Sequence, residues 1–252
     1  MAQIKASGGR RDGARDQVYA APHKAVEAFR FDAQVADVFQ DMISRSVPGY
    51  AFFLDFIAVM SSRYARADTQ CYDLGAALGA STLQIRRHSP ASCRVIAVDN
   101  SEAMVERCRL NLAQDDAKPE CEVRCEDIRD TLIEKASIVA LNFTLQFLPD
   151  EERLPILKTI CAGMVPGGAL LLAEKLRFAD AGKQALMTDL HHEFKRCQGY
   201  SDLEIAQKRA ALEEVLVPNT LDEHLHRLTE AGFAETQVCI QNLNFAGLLA
   251  VK

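Results

Sequence analysis

No apolar run in this sequence approaches the roughly 20 residues a helix needs to cross a bilayer. Basic residues occur near the start, in MAQIKASGGRRDGARD, but no apolar core segment follows them, so no secretory signal is expected there. Eight cysteines lie scattered at 71, 93, 108, 121, 125, 161, 197 and 239 without a C-x-x-C pair, which argues against a disulfide framework or a zinc ribbon. Cys121 and Cys125 flank a predicted strand and are expected to be buried thiols. An excess of positive charge is missing too. The formal net charge is −6, and the basic pairs Arg86-Arg87, Lys195-Arg196 and Lys208-Arg209 are isolated, so no continuous stripe for nucleic-acid phosphates forms. Neither an internal repeat nor an interdomain linker is visible. These absences leave a cytosolic protein that works on a small molecule, with no direct nucleic-acid or membrane contact expected.

What is present is an ordinary globular composition, 48% hydrophobic and 25% charged over 252 residues, enough for one large domain with an embedded cap. Residues 1–24 lack helical or strand periodicity and are expected to be a mobile tail, with residues 25–252 forming a single domain. From Phe31, apolar residues recur at spacings of three and four. The pattern stops at Ser46-Val-Pro-Gly-Tyr50, and a second helix is expected over Ala51–Arg66. Strands are then expected at Gln70–Leu74, Arg94–Asp99, Glu122–Cys125, Ile138–Asn142 and Ala169–Ala173. Between them fall helices over Ser81–Arg87 and Ala103–Asp115, a short one after Asp127, and one over Glu151–Met164. This alternation predicts an α/β fold with a mostly parallel, doubly wound sheet. A long helical region, roughly 176–217, exceeds what a crossover needs and reads as a cap or dimer surface. Two further β runs, Glu235–Gln241 and Phe245–Val251, joined by Asn242-Leu-Asn244, suit a closing antiparallel hairpin, the usual ending of Rossmann-like class I methyltransferase folds.

The chain is organised around CYDLGAALGAST, residues 71–82. An apolar run ends in Asp73, turns through Gly75 and Gly79, and opens into a helix, a geometry that brings backbone and a helix N-terminus close to a ligand. Asp99 closes the next apolar run, where a carboxylate can accept from both hydroxyls of a ribose. Ala77 stands where dinucleotide enzymes commonly carry a glycine for close approach to a pyrophosphate, which points to S-adenosylmethionine instead. Asp73, Asp99, Asp127 and Asn142 all fall at or just past strand ends, on the sheet edge where such folds bind ligands. Asp127 could accept from an adenine amino group with Ile128 covering the ring, or simply cap the helix after it. Asn142 interrupts an apolar strand and needs a partner. His191-His192-Glu193 is no chelate, because adjacent helical residues point about 100° apart. A solvent-facing or supporting role is expected there. Glu204 and Lys208 are spaced for a surface i,i+4 pair. A guanidinium at Arg209, in the cap, could clamp a carboxylate, although spacing alone favours a surface position.

Several segments together resemble one family, the carboxy-S-adenosyl-L-methionine synthases of the bacterial tRNA wobble-uridine pathway. They are Val38-Phe39 with Asp41-Met-Ile43, Arg45-Ser-Val-Pro-Gly-Tyr50, YDLG at 72–75, AVDNSEAM at 97–104, DIRD at 127–130, LNFTLQFL at 141–148, PGGALLLAEK at 166–175, HHEFKR at 191–196 and GYSDLEIAQKR at 199–209. The resemblance runs in order over roughly residues 31–252. One departure is Ala76-Ala77, where the family often has Cys-Ser; backbone contacts would survive this change. The resemblance implies nucleotide contacts at Tyr50, Gly75, Ala76, Ala77, Asp99, Asn100, Asp127, Ile128 and Asn142, and an arginine at Arg209 that holds the added carboxylate. It implies a homodimer that transfers carbon dioxide from prephenate to the methyl carbon of S-adenosylmethionine without a metal, leaving phenylpyruvate and supplying a downstream tRNA-modifying enzyme. Two other classes would use the same pocket: a methyltransferase with a small anionic acceptor, and a non-catalytic S-adenosylmethionine-binding protein.

Overall fold

Apolar residues at alternate positions along each central run put one set of side chains on either face of a sheet. The computed structural model describes residues 14–22 and 25–252 and places these runs in one seven-stranded sheet. Strands β1 (Gln70–Leu74), β2 (Arg94–Asp99), β3 (Glu120–Cys125), β4 (Ala136–Asn142) and β5 (Met164–Lys175) are mutually parallel. The closing hairpin adds β6 (Glu235–Asn242) and β7 (Phe245–Val251), with β7 antiparallel to both β5 and β6. The spatial order is β3-β2-β1-β4-β5-β7-β6. The chain thus builds outward from β1 in one direction through β3, then restarts at β4 on the other side. The crevice where the order reverses lies at the carboxyl ends of β1 and β4.

Alternation along the strands produces two cores. Tyr72, Leu74, Ile96, Val98, Val139 and Leu141 face helices α5 (Asp150–Gly163) and α8 (Leu221–Ala231). Cys71, Val95, Ile138, Ala140 and Leu171 face Phe56 and Ile57 of α2 (Tyr50–Tyr64) and Ile85 of α3 (Ala80–His88). Helix α4 (Glu102–Leu112) starts at the N-cap Ser101, whose hydroxyl accepts from Met104 N–H. Strand β3 is an edge strand, and there the expectation of buried thiols fails: Cys121 is only partly covered and Cys125 is exposed. No helix follows Asp127 either. Residues 128–130 form a turn, because the Asp127 carboxylate accepts from Arg129 N–H at 2.9 Å and closes the chain locally.

The region between β5 and α8 is two helices, α6 (Ala181–Cys197) and α7 (Asp202–Leu212), broken at Gly199, whose φ of 83° ends the first. Ser201 and Glu204 form a reciprocal capping box that starts the second. That box holds the Glu204 carboxylate at the Ser201 N–H (2.7 Å), so the expected surface pair with Lys208 does not form. Helix α1 (Ala33–Ser46) completes the cap side. The expectation of a mobile tail to residue 24 also changes from residue 14 onward, while residues 1–13 and 23–24 lie outside the described residues. Asp16 is buried and accepts from the Tyr200 hydroxyl at 2.5 Å, and Gln207 Nε2 donates to the carbonyls of Tyr19 and Ala21, each at 2.9 Å. Phe29 N–H bonds Ala211 O at 2.9 Å and Phe29 packs in one cluster with Met104 of α4, so this residue links the cap to the body. Among the described residues, no single helix is long and apolar enough to cross a membrane.

Candidate active site

The carboxyl ends of β1, β2 and β4, the turn after β3, the start of α2 and the inner face of α6 and α7 enclose a cavity of about 1030 Å³. Single-ligand sites commonly occupy roughly 300–1,000 Å³, and this one lies at the top of that range. Tyr50, Gly75, Ala76, Ala77, Asp99, Asn100, Asp127, Ile128 and Asn142 all line it.

The glycine turn is folded by its own donors. Gly75 and Ala76 N–H both bond Val98 O (2.8 and 2.9 Å), and Ala77 N–H bonds Asp99 Oδ2 at 2.8 Å. Gly75 can carry no side chain, since its φ is 86° and a Cβ would sit 2.2 Å from Thr144 Oγ1. The amides of Gly75, Ala76 and Ala77 are therefore committed within the fold and are not free to form a nest for a pyrophosphate.

Around that turn the wall is acidic. Asp73 lies behind that wall and does not line the cavity: it is fully buried, accepts from Thr82 Oγ1 at 2.5 Å and leaves Oδ1 without a partner, and burial raises its pKa to about 7. Asp99 accepts from Ser101 N–H at 3.0 Å as well as from Ala77, and burial pushes it above the ordinary carboxylate range. Asn142 donates to Ser81 Oγ at 2.9 Å, while its buried Oδ1 has no partner. The orphaned Asn142 oxygen, on the cavity lining, fits a ligand that brings donors, such as the ammonium and hydroxyls of S-adenosylmethionine. Asp127 is gripped by the Arg129 guanidinium at 2.6 Å, which holds its carboxyl below the usual range. Arg129 in turn bonds Glu152 at 2.7 Å, a clamp that was not expected from the sequence.

The opposite wall, from β5 and the cap, is basic. Lys175, Lys195 and Lys208 line the cavity beside His191. Lys208 Nζ donates to Ser46 Oγ at 2.9 Å and lies 3.6 Å from Asp16. Burial lowers Lys208 to about 8 and Lys195 to about 7, the latter helped by the neighbouring ammoniums of Lys208 and Lys175. His191 is buried rather than solvent-facing. Its Nε2 lies 2.8 Å from Ser46 O, its ring meets Phe245 edge-on, and burial keeps it neutral with a pKa of about 3.

A family model described as a methyltransferase domain matches residues 72–168. The carboxy-S-adenosyl-L-methionine synthase of Hahella chejuensis is 53% identical, across 94% of this chain and 98% of that protein. The synthase of Shewanella oneidensis is 49% identical across 96% and 100%. The chain belongs to the carboxy-S-adenosyl-L-methionine synthase family. At low identity its fold matches an O-methyltransferase family protein from Burkholderia thailandensis (TM-score 0.62, 18% identity, 91% of this chain and 65% of that one). It also matches human N-acetylserotonin methyltransferase in complex with SAM (0.58, 16%, 87% and 55%). This chain spans less than two thirds of the length of either structure, and the likeness establishes the Rossmann-like class I fold.

Within this family frame one expected residue stands apart. Arg209 does not line the cavity. It is exposed on the outer face of α7, in a shallow groove between α6 and α7 with His192, Arg196 and Glu213. Helical geometry separates it from its neighbour: Lys208 turns inward and Arg209, about 100° on, turns out. The preference of spacing for a surface position describes Arg209 within a single chain.

Proposed function

We propose that this protein is a cytoplasmic carboxy-S-adenosyl-L-methionine synthase. It converts S-adenosylmethionine and prephenate to carboxy-S-adenosylmethionine and phenylpyruvate, and its product serves a downstream enzyme that modifies tRNA wobble uridine. The observation that carries this reading is family membership over nearly the whole chain, and the two-walled cavity supports it. S-adenosylmethionine lies on the acidic wall. Asp99 takes the ribose hydroxyls, Asp127 and Ile128 take the adenine, and Asn142, Tyr50 and the turn from Gly75 to Ala77, with Asn100, enclose the rest.

The prephenate dianion fragments to the phenylpyruvate anion, carbon dioxide and hydroxide as its ring becomes aromatic. Hydroxide removes one proton from the sulfonium methyl, giving water and an ylide, and the ylide carbon forms the new bond to carbon dioxide. Charge and atoms balance, and no protein base is required. The protein contributes positioning and exclusion of bulk water, and a fixed cation for the new carboxylate.

Arg209 is the proposed cation, and its outward position is explained if a second copy presents it. The homodimer would bring Arg209 of each copy to the other's cavity. Leu186, Leu190 and Leu203, exposed on the same two helices, support an interface there.

The test is a mass spectrum of the small molecules released on denaturing the protein after incubation with S-adenosylmethionine, with and without prephenate. A nucleoside heavier by one carbon dioxide, rising with prephenate, is the expected result. Only unmodified or demethylated nucleoside would instead fit a methyltransferase. Arg209→Ala should lose carboxylated product by about 100-fold, in line with removing one charge-stabilising group, while still binding S-adenosylmethionine. Mixing it with an Asp99→Ala variant should restore part of the turnover, because one hybrid cavity regains both residues. No restoration would place Arg209 with its own chain's site.

A further inference from the structure

The basic wall has more charge than the assigned residues need. Lys175 ends β5, Lys195 comes from the last turn of α6, and Lys208 comes from the middle of α7. Three separate elements therefore deliver ammonium groups to one side of one cavity. Lys195 and Lys208 are only 8% and 5% exposed. Lys208 is partly neutralised by Asp16. Lys175 and Lys195 have no carboxylate partner among the described residues, and the charges that bear on them are those of Arg209, Lys208 and each other.

Gathering buried ammoniums without counterions is unfavourable, since each loses hydration and repels the others. Structural buried lysines are ordinarily paired, as Lys208 is. The unpaired two, together with Lys208, face a cavity whose other ligand carries a positive sulfonium and an ammonium, so most of that ligand would be repelled. The shape of the wall is also particular. Phe143, Phe194, Phe245 and the neutral ring of His191 lie among the lysines and present apolar surface to a carbocycle.

We propose that Lys175, Lys195 and Lys208 form the donor subsite, binding the two carboxylates of a dianionic cyclic acid and setting the cavity's preference for a dianion over a monoanion. This rests on the reading of the reaction above, in which the donor is prephenate. Two carboxylates match the two unpaired ammoniums, with Lys208 completing the field. Once one carboxylate has departed as carbon dioxide, the remaining monoanion pairs with only part of the wall. The same residues therefore hold the substrate more tightly than the product and favour product release.

The experiment compares wild type with Lys195→Met and Lys175→Met. It measures KM for prephenate, kcat, the Kd of S-adenosylmethionine by calorimetry, and inhibition by phenylpyruvate. Methionine keeps most of the side-chain volume and removes the buried charge, so both variants should fold. The subsite predicts that KM for prephenate rises at least tenfold in each, with the Kd of S-adenosylmethionine held within twofold. It also predicts that phenylpyruvate inhibits wild type with a constant at least tenfold above the prephenate KM, and that Lys195→Arg recovers most of the lost affinity. An unchanged prephenate KM in both methionine variants would overturn the proposal. So would a weakened S-adenosylmethionine affinity with prephenate untouched, which would assign the lysines to the methionine carboxylate. Should Lys195→Met fail to bind S-adenosylmethionine and lose its circular dichroism, Lys175→Met alone decides. If wild type itself makes no carboxylated nucleoside, the reaction assignment fails, which is distinct from an active wild type whose lysine variants behave normally.

Discussion

The two walls of the cavity have opposite charge and opposite construction. The acidic wall, with Asp99 and Asn142 on the lining and Asp73 buried behind them, stands on the ends of adjacent parallel strands, where register sets each position and a hydrogen bond holds each side chain. The basic wall, with Lys195 and Lys208, stands on two cap helices, whose Tyr200–Ala211 stretch bonds Asp16, Tyr19, Ala21 and Phe29. A sulfonium nucleoside suits the first and a polyanionic donor suits the second. The difference shows how one site can hold reactants of unlike charge next to each other. Under the proposed reaction the cationic partner takes the sheet edge and the anionic partner takes the cap side.

The largest break of this comparison removes the sheet-edge wall outright. In Gly75→Ala the added Cβ would overlap Thr144 and the residue would keep a φ of 86° that alanine resists. Overpacking and strain together should destabilise by about 3 kcal/mol. Thermal unfolding should fall by roughly 6–12 °C for a domain of this size, with S-adenosylmethionine binding lost in calorimetry.

A milder change separates the walls. Asp99→Asn keeps an acceptor for Ala77 N–H but removes the charge proposed to receive the ribose hydroxyls. Affinity for S-adenosylmethionine should fall about 100-fold, roughly 2.7 kcal/mol. At saturating nucleoside the KM for prephenate should change less than about threefold, by the independence expected of separated sites. A parallel loss at both would mean that the walls are not independent.

The walls also differ in how far their residues could be read in advance. The strand-end residues were legible because a βα alternation fixes which edge carries ligand, and β1 and β2 fall where expected. The basic wall was not legible. Lysine at helical spacing ordinarily lies in solvent, and Glu204 four residues before Lys208 looks like its surface partner. Only the structure shows that Ser201 takes Glu204 for a cap and that Lys208 turns inward to Ser46. The contacts of Asp16, Tyr19 and Ala21 were missed for a similar reason. Their segment's composition gives no periodicity, and its order comes from tertiary bonds such as that between Tyr200 and Asp16. Asp127 lies on the cavity lining, but the helix it was expected to cap is a turn, because Arg129 satisfies its carboxylate locally.

Proton linkage gives a third contrast of intermediate size. Burial raises Asp73 to about 7 and Glu174, buried at the end of β5, to about 8. In the folded state these groups hold protons that the unfolded chain releases near pH 4, so their contribution is favourable at low pH and fades as pH rises through about 7 to 8. Lys195 and Lys208 are lowered to about 7 and 8, while the unfolded chain keeps its lysine protons to about 10.4. Their contribution runs the other way, increasing with pH from about 7 to 10. Urea unfolding at constant ionic strength should therefore show Glu174→Gln flattening the slope between pH 5 and 8. Lys195→Met should flatten it between pH 7 and 10. Identical slopes in variant and wild type would refute the shifted protonation of the group removed.

The smallest expected effect tests whether the glycine turn works through backbone alone. Ala77 has a φ of 45°, a left-handed conformation that is uncommon for a residue with a Cβ. Its one ligand-side duty visible in the structure is the N–H bond to Asp99, which any residue other than proline can make. Ala77→Gly relieves the strain but enlarges the freedom of the unfolded chain and removes a methyl that packs against the cluster of Phe29 and Met104. These effects nearly offset, leaving a gain of about 0.5 kcal/mol and a rise in unfolding temperature of about 1–2 °C. Affinity for S-adenosylmethionine should stay within twofold of wild type, because the Asp99 carboxylate remains held. A tenfold loss would mean that the Ala77 methyl itself contacts the nucleoside, and the sheet-edge wall would then recognise its ligand by side-chain packing as well as by the carboxylate that the turn holds in place.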